Sequence, residues 1–293
     1  MSLQPAVLDR ISRVTPLGIR FWDEVAARTV ADGLDVVVYP KGEPERQVAA
    51  RANRIGTFVL PHLPGARDTA FERGDGGDAF WQRQTLRPYV IEVTDRDGCF
   101  QPFTIDQPLP ARGLATPPCL AALGALAAIS PPIDAVPLFS TPARPVPEGM
   151  AVLRAELRVR VPGQAEPSPA SWAVLEVQAP GQPPARGVAD RDGRVAVIFP
   201  YPEPLSAPAR AGSPPFSAGQ GLWDQEWTVR LTAFYDAVAP APTVPDLCRT
   251  LAQRAALLWN DARATRPLPG QPLRYGQDLI VRDTFITIAG SPP

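Results

Sequence analysis

Short runs of alternating apolar and polar residues, separated by turn-forming residues, dominate the hydrophobic pattern of this chain. In 34–39, Val36 and Val38 alternate with Asp35 and Tyr39, and residues 151–161 continue the same two-residue period. That period predicts half-buried β-strands. Further strands are predicted at 57–60, 89–94, 99–105, 172–177, 195–199, 227–235 and 278–288. The pattern therefore predicts a mainly β protein.

The pattern of 34–60 recurs 137 residues later along the chain. Residues 34–39 match 171–176, and 53–60 match 190–197, each of the latter pair with an Asn/Asp-Arg-x-Gly turn. Gly56 and Gly193 supply the positive φ that a tight hairpin needs. A third match pairs 88–93 with 226–231 at an offset of 138 and makes Tyr89 and Trp227 equivalent positions of the repeat. One fold used twice is the simplest explanation, so we expect two tandem β-sandwich modules.

Breaks in the repeat divide the chain into four parts. We expect an N-terminal arm (1–16), a first module (17–113), a proline-rich linker with a short helix (114–149) and a second module (150–293). In the arm, an apolar stripe predicts a short helix, packed on the first module or docked on a neighbouring subunit. The stripe consists of Val7, Leu8, Ile11 and Val14.

A second helix is predicted near the C-terminus, behind Pro245 and Asp246. Its apolar residues recur at helical spacing through 246–263 and are Leu247, Leu251, Ala255, Leu258, Trp259 and Ala262. The second module therefore carries one short C-terminal helix before its last strand.

The linker contains an apolar stripe that water disfavours. Residues 119–129 present an apolar side chain at every third position, between Pro117-Pro118 and Pro131-Pro132. We expect this stripe to be buried, either against a sandwich or against another subunit. The interface candidates are Leu120, Leu123, Leu126 and Ile129.

Composition narrows the classes of protein. The 38 prolines cannot lie inside long helices or central strands, so they must occupy stiffened connections. Net charge is −1, which gives no electrostatic case for nucleic acid or an anionic membrane. No apolar run is long enough for a membrane span, and no signal peptide is visible. We expect cytoplasmic synthesis without a signal peptide; any release from the cell, for example as part of a particle, would bypass the general secretory route.

Three cysteines, Cys99, Cys119 and Cys248, are odd in number and widely spaced. This arrangement predicts no disulfide framework and a reducing compartment. With His62, the single histidine, these cysteines form no local cluster for zinc. The Asp-Arg-Asp-Gly sequences at 95–98 and 190–193 lack the remaining ligands of a calcium loop and are explained by turn geometry. We therefore expect no metal or cofactor site.

The order of elements resembles the carboxypeptidase-regulatory-like, or transthyretin-like, β-sandwich domain. The resemblance lies in 53–60 running into Leu63-Pro64-Gly65, followed by 89–93. In the second module 190–195 keeps the turn, but 200–204 replaces the Leu-x-x-Gly close. A looser resemblance of overall plan, to structural components of phage-tail-like contractile injection systems, implies a baseplate, collar or cap role.

Candidate chemistry favours contact over catalysis. No glycine-framed serine accompanies His62, and the glycine-rich segment 74–78 is acidic, which repels phosphate. Trp172 and Trp227 take repeated strand positions and are predicted to be core. Trp81 and Trp223 adjoin loops, and either could be core or an exposed contact.

Two functions from different classes remain. The first is a non-catalytic assembly protein whose partners are other protein subunits, with no nucleic acid, membrane insertion or small-molecule ligand. The second is a carbohydrate-binding module that uses Trp81 and Trp223.

Overall fold

The computed structural model of the chain describes residues 11–66, 71–73, 77–117, 119–120, 134–160, 166–204, 221–237, 241–259 and 267–287. Within these ranges the protein is mainly β, with two short α-helices and several sheets. The mainly β prediction is confirmed, and the architecture is of the β-sandwich class.

The first part of the chain contains eleven of the described strands and one helix. They are β1 (Ile11–Arg13), β2 (Gly18–Asp23), β3 (Arg28–Val30), β4 (Leu34–Pro40), β5 (Val48–Ala49), β6 (Arg51–Ala52), β7 (Thr57–Val59), β8 (Phe71–Arg73), α1 (Asp78–Gln82), β9 (Arg87–Asp95), β10 (Phe103–Leu109) and β11 (Val136–Leu138). One sheet has the order β10-β9-β4-β5, a second has the order β11-β2-β7-β6 with β3 also paired to β2, and β1 pairs with β8 in a small third sheet. Inward residues such as Ile19, Val38 and Ile91 are fully buried and form the first core.

The second part begins at residue 150. Its elements are β12 (Met150–Val159), β13 (Ser168–Pro169), β14 (Val174–Gln178), β15 (Ala185–Val188), β16 (Arg194–Pro200), β17 (Glu226–Phe234), α2 (Leu247–Leu251), β18 (Ala255–Trp259), β19 (Gln271–Arg274) and β20 (Leu279–Thr287). β14, β15 and β17 pair together, while β12 lies between β16 and β20. β18 pairs with both β17 and β20 and joins the two groups into one continuous sheet.

Both modules share one connectivity. Apart from β1, the earliest strand of each module pairs antiparallel with the return strand, β2 with β7 and β12 with β16. On its other side that strand pairs parallel with a late strand, β2 with β11 and β12 with β20. β4 and β14 likewise each lie between a long strand and a short one. The strand pairing therefore supports one fold used twice.

The two predicted hairpin turns are equivalent in detail. Oδ1 of Asn53 accepts the amides of Ile55 and Thr57, at 3.1 and 3.0 Å. Oδ1 of Asp190 accepts the amides of Asp192 and Arg194, at 2.9 and 2.8 Å. Gly56 and Gly193 follow with φ of 75° and 80°. The turn prediction is confirmed. The side chains of Asn53 and Asp190 are each hydrogen-bonded within their own turn.

The match between Tyr89 and Trp227 does not hold in register. Tyr89 lies opposite Pro40 of β4, whereas Trp227 lies beyond the end of β14 and pairs with Leu273 of β19. The two residues nevertheless play the same part. Each is buried near the start of its long strand, and its polar atom donates to a backbone carbonyl that follows the return strand, that of Pro64 or Glu203.

Three sequence predictions need correction. The helix expected over 246–263 ends at Leu251, and Ala255–Trp259 is strand β18, because it pairs with β17 and β20. Ile11–Arg13, expected to be helical, pairs with β8, while residues 1–10 lie outside the described residues. The segment 114–149, expected to be linker, contributes β11 and its buried residues to the first module.

Second-module residues complete the first core. Trp172 is buried as predicted, yet its side chain packs with the first module together with Val188 and Leu247. It adopts a positive φ of 63°, and its indole nitrogen donates to the carbonyl of Pro242 at 3.0 Å. Thr104 of β10 donates its amide to Pro245 at 2.8 Å. The two modules therefore share an interface with fixed polar and apolar contacts.

A disulfide also crosses between the two parts. Cys119 and Cys248, 129 residues apart, form a disulfide with Cα atoms 5.3 Å apart, and Cys99 is free. The expectation that these cysteines stay unpaired is therefore wrong. Wide sequence spacing says little about pairing when the fold brings a linker segment beside α2.

Candidate functional site

The structure separates the interface candidates taken from the sequence. Leu120 is half-buried and packs on the first core, immediately after the disulfide residue Cys119. At this position the side chain packs against a sandwich but is not fully buried. Leu123, Leu126 and Ile129 lie outside the described residues.

The two candidate tryptophans occupy different environments. Trp81 lies on α1, is half-buried, and makes an edge-on contact with Phe80 at a centroid distance of 5.3 Å. Trp223 follows the second module's return strand and is 77% exposed, the largest fraction among the described large apolar side chains. Trp223 is therefore the stronger contact candidate.

Trp223 is exposed but held. It lies in a 3₁₀ turn, Leu222–Asp224, closed by the amide of Asp224 donating to the carbonyl of Gly221 at 2.9 Å. The turn is hydrogen-bonded to the end of β19, because the amide of Tyr275 donates to the carbonyl of Gln225 at 3.3 Å. The Trp223 ring meets the Tyr275 ring edge-on, with centroids 5.5 Å apart.

A glycine makes this approach possible. A Cβ on Gly276 would lie 2.6 Å from a carbon of the Trp223 six-membered ring, closer than real Cβ atoms approach. Gly276 also has a φ of 72°, which side-chain-bearing residues rarely adopt. Position 276 therefore requires glycine for both its backbone and its neighbour.

Beneath Trp223 the aromatic contacts continue into the core. The Tyr201 ring lies 4.6 Å from Tyr275 and 5.8 Å from buried Trp227. The Tyr201 hydroxyl accepts the amide of Gly276 at 2.9 Å, and burial raises the pKa of this phenol, so it stays neutral. We call Tyr201, Trp223, Trp227 and Tyr275 the aromatic cluster. It connects an exposed indole to a buried one.

The surface around Trp223 has an apolar centre and a charged edge. Leu222 is 43% exposed beside it. Glu226 and Arg274, opposite each other on β17 and β19, form an exposed ion pair at 2.9 Å. An aromatic anchor with a polar rim is the usual composition of a protein-binding surface.

Sequence reasoning missed half of the aromatic cluster. Tyr201 and Tyr275 lie far apart in the chain and come together only because β19 pairs with β17. Neither stands in a local motif, so no local signal could have identified them.

His62, expected to be structural, is exposed and lines a cleft on the first module with several arginines. Within the described ranges, no group of three or more His, Cys, Asp or Glu side chains is placed to hold a metal ion. No helix in that part of the chain has the length and apolar character needed to cross a membrane.

These features define a β-sandwich protein with a fixed, exposed tryptophan. No protein-family model matches the chain. No curated protein matches it significantly.

Two solved structures are similar to it in part. The TIE protein of Bacillus anthracis covers 92% of this chain at 9% identity, with a TM-score of 0.24. The chain spans about a third, 34%, of that protein's length. A putative adhesin from Bacteroides ovatus aligns with 78% of this chain and over 88% of its own length, at 10% identity and a TM-score of 0.18. At these scores neither likeness carries an argument about function.

Proposed function

We propose that this chain is a non-catalytic structural protein that acts by binding other protein subunits. The observation that carries the proposal is Trp223, an indole 77% exposed yet fixed by Tyr275 and Gly276. Exposing a tryptophan to water is unfavourable, at roughly 25 cal/mol per Å² of apolar surface. Burial against a partner would recover that free energy.

The surface is prepared for contact before a partner arrives. Side-chain ordering at an interface costs about 0.5–1.5 kcal/mol for each immobilised side chain. Because the 3₁₀ turn and Tyr275 already hold Trp223, most of this cost falls on folding rather than on binding. Tryptophan is also among the residues enriched at the energetic centres of interfaces.

The shared interface between the modules supports a scaffold role. Trp172 and Leu247 pack into the first core, and Thr104 bonds to Pro245. Two modules joined in this way present their surfaces at a fixed spacing, as a structural component requires. A place at the baseplate, collar or cap of a phage-tail-like contractile injection system stays the prediction made from the sequence plan.

Carbohydrate binding is the second candidate, and the same exposed indole favours it. Sugars stack on aromatic faces, and Trp223 is the most exposed aromatic of the described residues. Tyr275 meets Trp223 at 78°, so the two rings do not form one flat platform. This geometry favours a protein contact over a broad sugar platform.

Size fractionation in the native host tests the proposal. The tagged chain is expected to elute in a large particle with a fixed set of other proteins, and Trp223→Asp should move it to the small fraction. Ile55→Asp is the matched control, since Ile55 is also exposed, at 67%, but lies on a first-module turn. A wild-type chain that elutes only as a small species, and binds a glycan array through Trp223, would support the carbohydrate function instead.

A further inference from the structure

A cleft on the first module is lined by several cationic side chains. It has a volume of about 810 Å³ and lies between the segment after β7, the end of α1 and the start of β9. Its cationic residues are Arg46, Arg83 and Arg87, and His62 lines the cleft with them. Among the described residues that line it there is no aspartate or glutamate.

Arg87 is the arginine most available to a ligand. It is the first residue of β9, opposite Leu109 of β10, and its side chain is exposed. Within the described part of the chain it has no ion-pair partner. Its strand is central in a sheet, between β10 and β4, which fixes the backbone from which the guanidinium projects.

Arg46 also lines the cleft. It ends the 3₁₀ turn Pro44–Arg46 and forms an exposed ion pair with Glu43. Its guanidinium lies against Gly65, where a Cβ would stand 2.5 Å from Nη2. Glycine at 65, with a φ of 77°, therefore lets the charged group lie across the segment after β7.

Tyr89 also lines the cleft and is influenced by the charges around it. Its hydroxyl donates to the carbonyl of Pro64 at 2.9 Å, and burial raises its pKa, while the charges of Arg87 and Arg46 act in the opposite direction. The Tyr89 phenol therefore lies near both guanidinium groups and also near the Glu43 carboxylate that pairs with Arg46. Gln47, Gln84 and Thr85 add neutral hydrogen-bonding groups.

We propose that this cleft binds an anionic small molecule through its carboxylate or phosphate groups, with Arg87 and Arg46 as the principal cationic contacts. The planar guanidinium fork matches both groups and bonds them bidentately. The cleft volume lies within the range of small-molecule sites. Because the whole chain carries a net charge of −1, the cationic character is local to the cleft. This site is independent of Trp223.

Titration calorimetry on the full chain, at physiological ionic strength, tests the site with citrate and with pyrophosphate as separate probes. We expect saturable binding of one of them at one site per chain. Citrate alone would indicate a carboxylate ligand, and pyrophosphate alone a phosphate ligand. Arg87→Gln should weaken binding at least tenfold, which corresponds to about 1.4 kcal/mol.

Arg230→Gln is the matched control, because Arg230 is an exposed arginine on β17, the equivalent long strand of the second module. It should leave the affinity unchanged. If Arg87→Gln lowers the melting temperature, Arg46→Gln replaces it in the same titration. Absence of binding by both probes, or equal weakening by Arg230→Gln, would overturn the proposal.

Discussion

Arg144 donates from both terminal nitrogens to the carboxylate of Asp23, at 3.0 and 2.6 Å. Both side chains are almost completely buried, 9% and 3% exposed. Asp23 ends β2, and Arg144 lies in the segment that leads from β11 to the second module. The Arg144 guanidinium also bonds to Ser140 and lies 4.8 Å above the Phe100 ring. This pair fixes the path of the chain as it leaves the first module.

Breaking this ion pair should strongly destabilise the protein. Arg144→Met leaves the Asp23 carboxylate buried without its counter-charge, which costs about 3–5 kcal/mol in comparable pairs. Denaturant unfolding should show the loss. Arg158→Met is the control, since Arg158 pairs with Glu156 at the surface, and such pairs contribute about 0–1 kcal/mol. Equal losses in both variants would contradict the importance of the buried pair.

Glu24 should make stability depend on pH. It lines a cavity of about 430 Å³ between Trp22 and second-module residues such as Ala185 and Ile198. Its Oε1 is buried and has no hydrogen-bond partner among the described residues. Burial, with a smaller effect of Asp23, raises the pKa of Glu24 from 4.5 to about 7 despite the opposing charge of Arg186.

The direction in which stability changes with pH follows from proton binding to Glu24. Between pH 4.5 and about 7 the folded chain holds a proton on Glu24 that the unfolded chain has lost. Stability should therefore fall as pH rises through this window and then level off, a total of about 3 kcal/mol from this group. Glu24→Gln should remove the fall, while exposed Glu45→Gln should keep it. If the free energy of unfolding rises from pH 5 to 7 in the wild type, and rises by the same amount in Glu24→Gln and Glu45→Gln, the prediction is contradicted.

Gly193 should tolerate no side chain. A Cβ there would lie 2.3 Å from the carbonyl oxygen of Leu157, and the φ of 80° adds backbone strain. Gly193→Ala is expected to cost more than 2 kcal/mol, about the combined penalty of strain and overpacking. Gly181→Ala is the control, because Gly181 has a φ of 72° but open space around it. Thermal unfolding of the two variants separates strain from the clash.

Turns could be predicted from the sequence because they are local. Asn53 and Asp190 bond to amides within four residues of themselves, and Gly56 and Gly193 supply the required φ. The helix start at Asp246 was recognisable for the same reason, since its side chain accepts the amide of Arg249.

The features that could not be predicted from the sequence depend on contacts between distant segments. Ala255–Trp259 has helical spacing in the sequence but lies between β17 and β20, where ladder hydrogen bonds outweigh a weak local preference. Trp172 departs from the repeat because it packs into the other module's core. The aromatic cluster and the cleft lined by Arg46, Arg83 and Arg87 each combine residues from distant segments. Neither leaves a local sequence pattern, so the sequence alone could not indicate a small-molecule site.

Trp223 should matter for contact far more than for stability. Because its indole is mostly exposed, Trp223→Ala should change the free energy of unfolding by about 1 kcal/mol or less. Trp227→Ala, which removes a buried indole from the same cluster, should cost about 3–5 kcal/mol. Chemical denaturation of the two variants measures the difference. A large loss in Trp223→Ala would mean that its ring is structural.

Site-specific photo-cross-linking in the native host tests the central claim most directly. A photo-reactive phenylalanine analogue in place of Trp223 is expected to give one defined adduct with another protein subunit, whereas the same analogue in place of Ile55 gives none. No adduct at position 223, or the same adducts at both positions, would contradict the claim that Trp223 is a protein contact.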